Sequence, residues 1–173
     1  YNSMFREMFN AEKLVSNEIV GKGKFKIAYD SDGRFNSHTV INIVKYDLIC
    51  NAEYKPLKKL LKNQELINNA REINYFYLLG ILNSKLIYWY FNELLAIELH
   101  FYPNYVKELP IKNYDPIIGE QIISCVSEIM NSGNNRLSVS ALEGKLDELI
   151  FKLYDLHDEE VNIIEESIKI KEG

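Results

Sequence analysis

Polar and apolar residues alternate along the first quarter of the chain and then fall into a helical period. Lys24-Phe25-Lys26-Ile27-Ala28-Tyr29 switches character at every step, as a half-buried strand does. His38 to Lys45 alternates again, with Val40, Ile41, Ile43 and Val44 β-branched. Lys13 to Ile19 is a less regular run of the same kind. Asp30-Ser31-Asp32-Gly33 is a turn signal, with Gly33 supplying the positive φ. Together these predict a β-meander over residues 12–45.

Beyond residue 46 the period lengthens. Pro56 predicts a short helix over Leu57 to Asn63, since proline is tolerated in a first turn. Asn63 to Arg71 is polar and reads either as a loop or as more helix. Asn74 to Leu95 predicts one long helix. Its core stripe is Leu78, Leu82, Leu86, Trp89 and Tyr90, widened by Leu79 and Ile81. Gly80 inside it costs roughly 1 kcal/mol against Ala, which predicts a closely packed neighbour.

Asp115-Pro116 opens a second helix with Ile117, Ile118, Ile122, Val126 and Ile129 on its apolar positions, and Asn131 to Asn135 breaks it. A third helix runs from Leu137 to Tyr154, and a short fourth follows His157-Asp158, fraying from Lys169. The fold expected is α+β: a small, mostly antiparallel sheet with a long packed central helix, followed by a C-terminal helical segment. Residues 1–112 would form one domain and residues 113–173 either a helical appendage or a further part of the same domain.

Composition supports a core, at 47% hydrophobic residues, with 12 Tyr and 8 Phe. No apolar run reaches the ~18 residues of a membrane span, and no apolar run follows Met4-Phe5-Arg6-Glu7 to make a signal peptide. Cys50 and Cys125 share no metal-ligand spacing, so two thiols in a reducing cytoplasm are expected. The chain opens on Tyr1, not Met, so a longer parent is expected.

Net charge is −5, which alone argues against nucleic acid. Residues 1–63, however, hold 11 Lys+Arg against 7 Asp+Glu, and residues 113–173 hold 5 against 13. A basic first third beside an acidic tail can meet a polyanion with one face. Lys22, Lys24 and Lys26 would share one strand face and reach phosphates. Arg34, Asn36, Ser37 and His38 follow the turn, and Arg and Asn are the side chains that bridge guanine and adenine edges. His100, in the loop after the long helix, is a further base-reading candidate.

No Ser/His/Asp set, phosphate loop or histidine–cysteine metal spacing stands out. Asp47 with Glu53-Tyr54-Lys55 has a loose nuclease-like spacing, without the flanking elements such a centre needs. No catalytic residue and no metal ligand is therefore assigned.

Four blocks carry a likeness to a known family. They are Ala28-Tyr29-Asp30-Ser31-Asp32-Gly33-Arg34-Phe35, Leu78-Leu79-Gly80-Ile81-Leu82-Asn83-Ser84-Lys85, the exit Leu109-Pro110-Ile111, and the helical stretch Ala141 to Glu166. In this order they resemble the TaqI-like C-terminal specificity domain, the target-recognition part of adenine-specific DNA methyltransferases and fused restriction–modification enzymes. The segment Glu93 to Pro103 departs from the family, being apolar and acidic where glycines and basic residues are usual.

The resemblance implies sequence-specific recognition of double-stranded DNA, in the prokaryotic cytoplasm, by a non-catalytic fragment. The methyltransferase domain would lie N-terminal to it, possessing the S-adenosylmethionine site and any nuclease activity. This chain has neither a glycine-rich cofactor turn nor an Asn-Pro-Pro-Tyr-type motif for a flipped base, so it is expected to bind no cofactor itself. The rival reading is a helical protein–protein interaction module without DNA binding.

Overall fold

The computed structural model describes residues 6–20, 24–95, 101–133 and 135–172. The chain divides into two compact units, one of Tyr1–Glu18 with Ile27–Tyr75, the other of Ile19–Lys26 with Phe76–Gly173. The boundary expected at residue 112 falls inside the second unit. The architecture is α+β, as the periodicities predict.

The first unit holds a short helix, α1 (Arg6–Asn10), and three antiparallel strands, β1 (Lys13–Asn17), β2 (Ala28–Asp30) and β3 (Val40–Ile43). Their order is β2-β1-β3, so β1 is central and the sheet is not a meander. Leu14 faces Tyr29 on one side and Ile43 on the other. A central strand is covered more fully than an edge one, and Lys13, Leu14 and Ser16 are all buried. That is why its polar–apolar pattern is irregular.

The expected strand over Lys24 to Tyr29 shrinks to its last two residues and Asp30. Residues 24–27 alternate in burial and are assigned to no strand. Phe25 enters an aromatic cluster of the second unit instead, with ring centroids 4.7 Å from Phe101 and 5.2 Å from Phe91. Alternation here reports which side chains are buried, not a hydrogen-bonded ladder.

The expected helix over Leu57 to Asn63 is two 3-10 turns, Lys55–Leu57 and Leu60–Lys62. Asn63 then starts a new helix, α2 (Gln64–Glu72), by accepting the amides of Glu65 and Leu66 on its side chain. Leu61 packs with Ile49 and Ala52 as a small core of this unit. Tyr75 ties the unit together, its hydroxyl accepting the Lys45 amide at 3.0 Å and donating to the Glu12 carbonyl at 3.0 Å.

The long helix is broken. α3 (Tyr75–Leu82) ends at Asn83, α4 (Lys85–Tyr90) restarts at Ser84, and a π-turn over Phe91–Leu95 follows. Ser84 is fully buried; its hydroxyl donates to the Ile81 carbonyl at 2.7 Å and accepts the Ile87 amide at 3.3 Å. An N-capping serine explains the break that the apolar period conceals. Leu79, Ile81, Leu82 and Leu86 are buried, whereas Leu78, Trp89 and Tyr90 are only half-buried. Gly80 has the close neighbour expected: a Cβ there would lie 2.7 Å from Ile122 and 3.1 Å from Val126.

α5 (Pro103–Glu108), α6 (Pro116–Asn131), α7 (Arg136–Leu153) and α8 (Asp158–Glu172) complete the second unit. Asp115 caps α6 through the Ile117 and Ile118 amides. Ile122 and Val126 are buried as expected, but Ile117 is 73% exposed, because the first turn of α6 extends past the core. α8 is longer than expected and stays helical from Lys169 to Glu172 in the stretch assigned to fraying, of which Gly173 lies outside the described residues. Ile164 and Ile168 bury against the unit, and the Glu160 carboxylate accepts the His157 amide at 2.8 Å.

α7 ends in a Schellman motif, with Leu156 N–H bonded to Phe151 and Asp155 N–H to Lys152. Asp155 takes the left-handed position at φ 57° that glycine usually fills, and its carboxylate reaches Lys112 at 2.6 Å. Among the described residues no helix is long and apolar enough to cross a membrane.

Candidate nucleic-acid interface

The loop between β2 and β3, residues 31–39, gathers most of the predicted base-reading residues. It leaves the sheet at Asp30, whose carboxylate accepts the amides of Asp32 at 3.0 Å and Arg34 at 2.9 Å. Such an Asx turn explains why β2 stops after three residues. Gly33 then takes φ +67°, and a Cβ there would lie 2.6 Å from the Asn10 carbonyl oxygen. Only glycine fits both the angle and the approach.

Beneath the turn lies a buried cation. Lys13 is fully buried, and its ammonium donates to the Phe9 carbonyl at 2.7 Å and meets Asp30 at 2.6 Å. Burial pushes the Asp30 carboxyl up. The Lys13 ammonium and the two amides outweigh it and hold the group below the usual carboxylate range. Next to it, Tyr29 donates to Glu12 at 2.5 Å, and that hydrogen bond, helped by burial, raises the phenol to about 12. The foot of the loop is thus clamped by charge and hydrogen bonds.

Above this foot the loop is polar and open. Arg34 is exposed and paired to Asp32 at 2.7 Å. Asn36 exchanges amide hydrogen bonds with Asn42 of β3 at 2.6 and 3.2 Å. Ser37 and Thr39 share a hydroxyl bond at 2.7 Å, and His38 is exposed. Phe35 is 65% exposed and stacks on Phe9 with centroids 5.0 Å apart. The structure therefore brings Arg34, Asn36, Ser37 and His38 onto one loop.

The remaining predicted positions separate from it. Lys22 and His100 lie outside the described residues. Lys24 and Lys26 belong to the second unit and to no strand, so these two do not share the expected strand face. Lys24 is paired with Glu143 at 2.5 Å, and Lys26 is exposed. Asp47, Glu53 and Lys55 do not assemble a nuclease centre. Glu53 and Lys55 point to solvent, while Asp47 is largely buried with its Oδ1 atom unpartnered. Among the described residues no group of histidine, cysteine or carboxylate side chains is placed to hold a metal.

A family model, described as the TaqI-like C-terminal specificity domain, matches residues 2–111. The chain belongs to that family. The TaqI-like specificity domain recognises DNA sequence for methyltransferase-type restriction–modification enzymes and is not itself their catalytic part. The match ends within the Leu109-Pro110-Ile111 exit, so the likeness read in Ala141 to Glu166 lies beyond it.

That exit is held by two tyrosines. Tyr154 donates to the Pro110 carbonyl at 2.6 Å and accepts the Lys112 amide at 3.1 Å. Tyr77 donates to the Asn113 carbonyl at 3.0 Å. Neither clamp is legible as a motif, nor is the role of Lys13. Lys13 carries no such signal in the sequence, because its burial follows from the central place of β1 in the sheet, where a charge is tolerated only when paired.

Proposed function

We propose that this chain is the sequence-reading domain of a prokaryotic adenine-N6 DNA methyltransferase or of a fused restriction–modification enzyme. The chemistry and the S-adenosylmethionine site belong to a methyltransferase domain preceding it. Double-stranded DNA is the ligand. The observation that carries the reading is the family match across residues 2–111, which includes the whole clamped loop.

The loop suits base reading. Arg34 has the planar fork that bridges guanine O6 and N7, and Asn36 the amide that bridges adenine N6 and N7. An exposed pair such as Arg34–Asp32 is worth little, so exchanging Asp32 for a base edge costs little. Asn36 uses both its amide nitrogen and its oxygen on Asn42, so it must exchange that partner for an adenine edge. Ser37 and His38 extend the same polar edge. Lys26 is available to phosphate, and Lys24 must first give up Glu143.

The test is selection of the chain against a library of randomised duplexes. Enrichment of one short sequence motif is expected. Recovery of the input distribution after several rounds contradicts the proposal.

A second reading, a helical interaction module, draws on the exposed Ile117 and Leu137. Salt separates the two. DNA binding weakens steeply as salt rises, and an apolar protein interface does not.

A further inference from the structure

The run Lys55–Lys62 carries four lysines, Lys55, Lys58, Lys59 and Lys62, and no acidic residue. Its backbone winds continuously to the right, with Lys58 and Lys59 in helical conformation between two 3-10 turns. Leu57 and Leu61, four residues apart, turn inward. Leu61 is 2% exposed and packs with Ile49 and Ala52, and Leu57 lies against the same cluster. Lysines spaced three, four and seven residues apart fall on the opposite side of such a winding.

All four lysines are exposed. Among the described residues none of them forms an ion pair, whereas Lys13, Lys24, Lys45, Lys85 and Lys112 each do. Glu53 and Glu65 bracket the run, and neither pairs with it. The protein therefore holds a row of ammonium groups without ion pairs over one buried and one half-buried leucine.

We infer that Lys55, Lys58, Lys59 and Lys62 form a docking face for the phosphate backbone of duplex DNA. The inference rests on the DNA-reading function proposed above. Lysine is a point charge without arginine's planar fork, so it positions a duplex and does not read its bases. An anionic membrane fits less well. A membrane-surface helix exposes a broad apolar side, and here Leu61 is buried in the unit's own core and, of the leucines, only Leu60, 39% exposed, stands among the lysines.

The test uses the whole chain, a labelled duplex and a titration of salt. The variant Lys55→Gln/Lys58→Gln/Lys59→Gln/Lys62→Gln is compared with the wild type, and a fourfold Lys→Arg variant serves as control. Unchanged melting is expected for both, since the side chains are exposed. The Gln variant should bind at least roughly tenfold more weakly at low salt. Its plot of log K against log salt should be flatter by about 0.9 for each phosphate it no longer neutralises. The weakening should be equal on every duplex sequence, and the Arg variant should keep the wild-type slope. An unchanged slope in the Gln variant overturns this inference and leaves the DNA-reading function standing. A wild-type chain that binds no duplex overturns both.

Discussion

One unit buries a lysine and the other buries a carboxylate, and the two burials do different work. In the first unit the Lys13–Asp30 pair sits under the polar loop and fixes its foot. In the second, Asp147 of α7 is 8% exposed and accepts the first amide of α4, Lys85 N–H, at 2.9 Å. It caps a helix inside a core. Surface charge divides likewise. The first unit has nine basic and nine acidic residues, and the second has eleven and sixteen. Among the described residues Lys24, Lys85 and Lys112 of the second unit pair within it, as Lys85 does with Glu165 at 2.8 Å, while the four of Lys55–Lys62 form no ion pair. The contrast is between a buried ion pair that fixes the foot of a polar loop and a buried carboxylate that caps a helix.

The sharpest way to break this comparison is to remove the buried cation. Lys13→Met leaves the Asp30 carboxylate without its counter-ion. A destabilisation of about 3–5 kcal/mol is expected, the cost typical of orphaning one partner of a buried pair. Denaturant unfolding measures it, and amide exchange should show protection falling first in β1, β2 and the loop. Wild-type stability in this variant would mean that the pair holds nothing.

Gly80→Ala perturbs the second unit by packing alone. The added methyl meets Ile122 at 2.7 Å, and overfilling a core in this way costs about 1–3 kcal/mol. Exchange should rise in α3 and α6 and stay unchanged around the loop. A neutral result would show that Ile122 yields freely.

The two carboxylates should also respond to pH with opposite sign. Asp30 lies below its ordinary value, so its contribution is present above pH 3.8 and is lost as pH falls through its lower folded value. Asp147 is raised to about 6, chiefly by burial, against the pull of Lys85. Its folded form holds a proton that the unfolded chain releases near 3.8. Its contribution is therefore complete below that pH and is lost as pH rises toward about 6. Asp147→Asn keeps an acceptor for Lys85 N–H and removes the titration. The stability difference between pH 4 and pH 7 should change by on the order of 1–3 kcal/mol in this variant. Superimposable pH profiles would show that Asp147 does not titrate in this range.

Much of this organisation was legible in the residue pattern. The strand and helix classes, the Gly33 turn, the Gly80 contact and the Asp115 cap all follow from local chemistry. What was missed depends on partners distant in sequence. Phe25 alternates like a strand residue because Phe91 and Phe101 bury it, not because its backbone pairs. β1 becomes central only when β3 crosses to its far side, which no local pattern encodes. The break at Ser84 hides in an apolar run, since a buried serine capping a helix resembles one inside it. At the candidate interface, residue type located the loop of Arg34, Asn36, Ser37 and His38. Charge spacing led to Lys22, Lys24 and Lys26, yet a run of four exposed lysines without ion pairs lies at 55–62, where the leucine anchors become apparent only in three dimensions.

The central claim is that the clamped loop reads DNA bases. It is tested most directly by competing the selected duplex against a shuffled one of the same composition, with wild type and Arg34→Ala side by side. Wild type should prefer the selected duplex, and Arg34→Ala should lose about 1–3 kcal/mol of that preference while keeping the salt slope. A preference unchanged by Arg34→Ala, or a wild type that binds both duplexes equally, would contradict the claim.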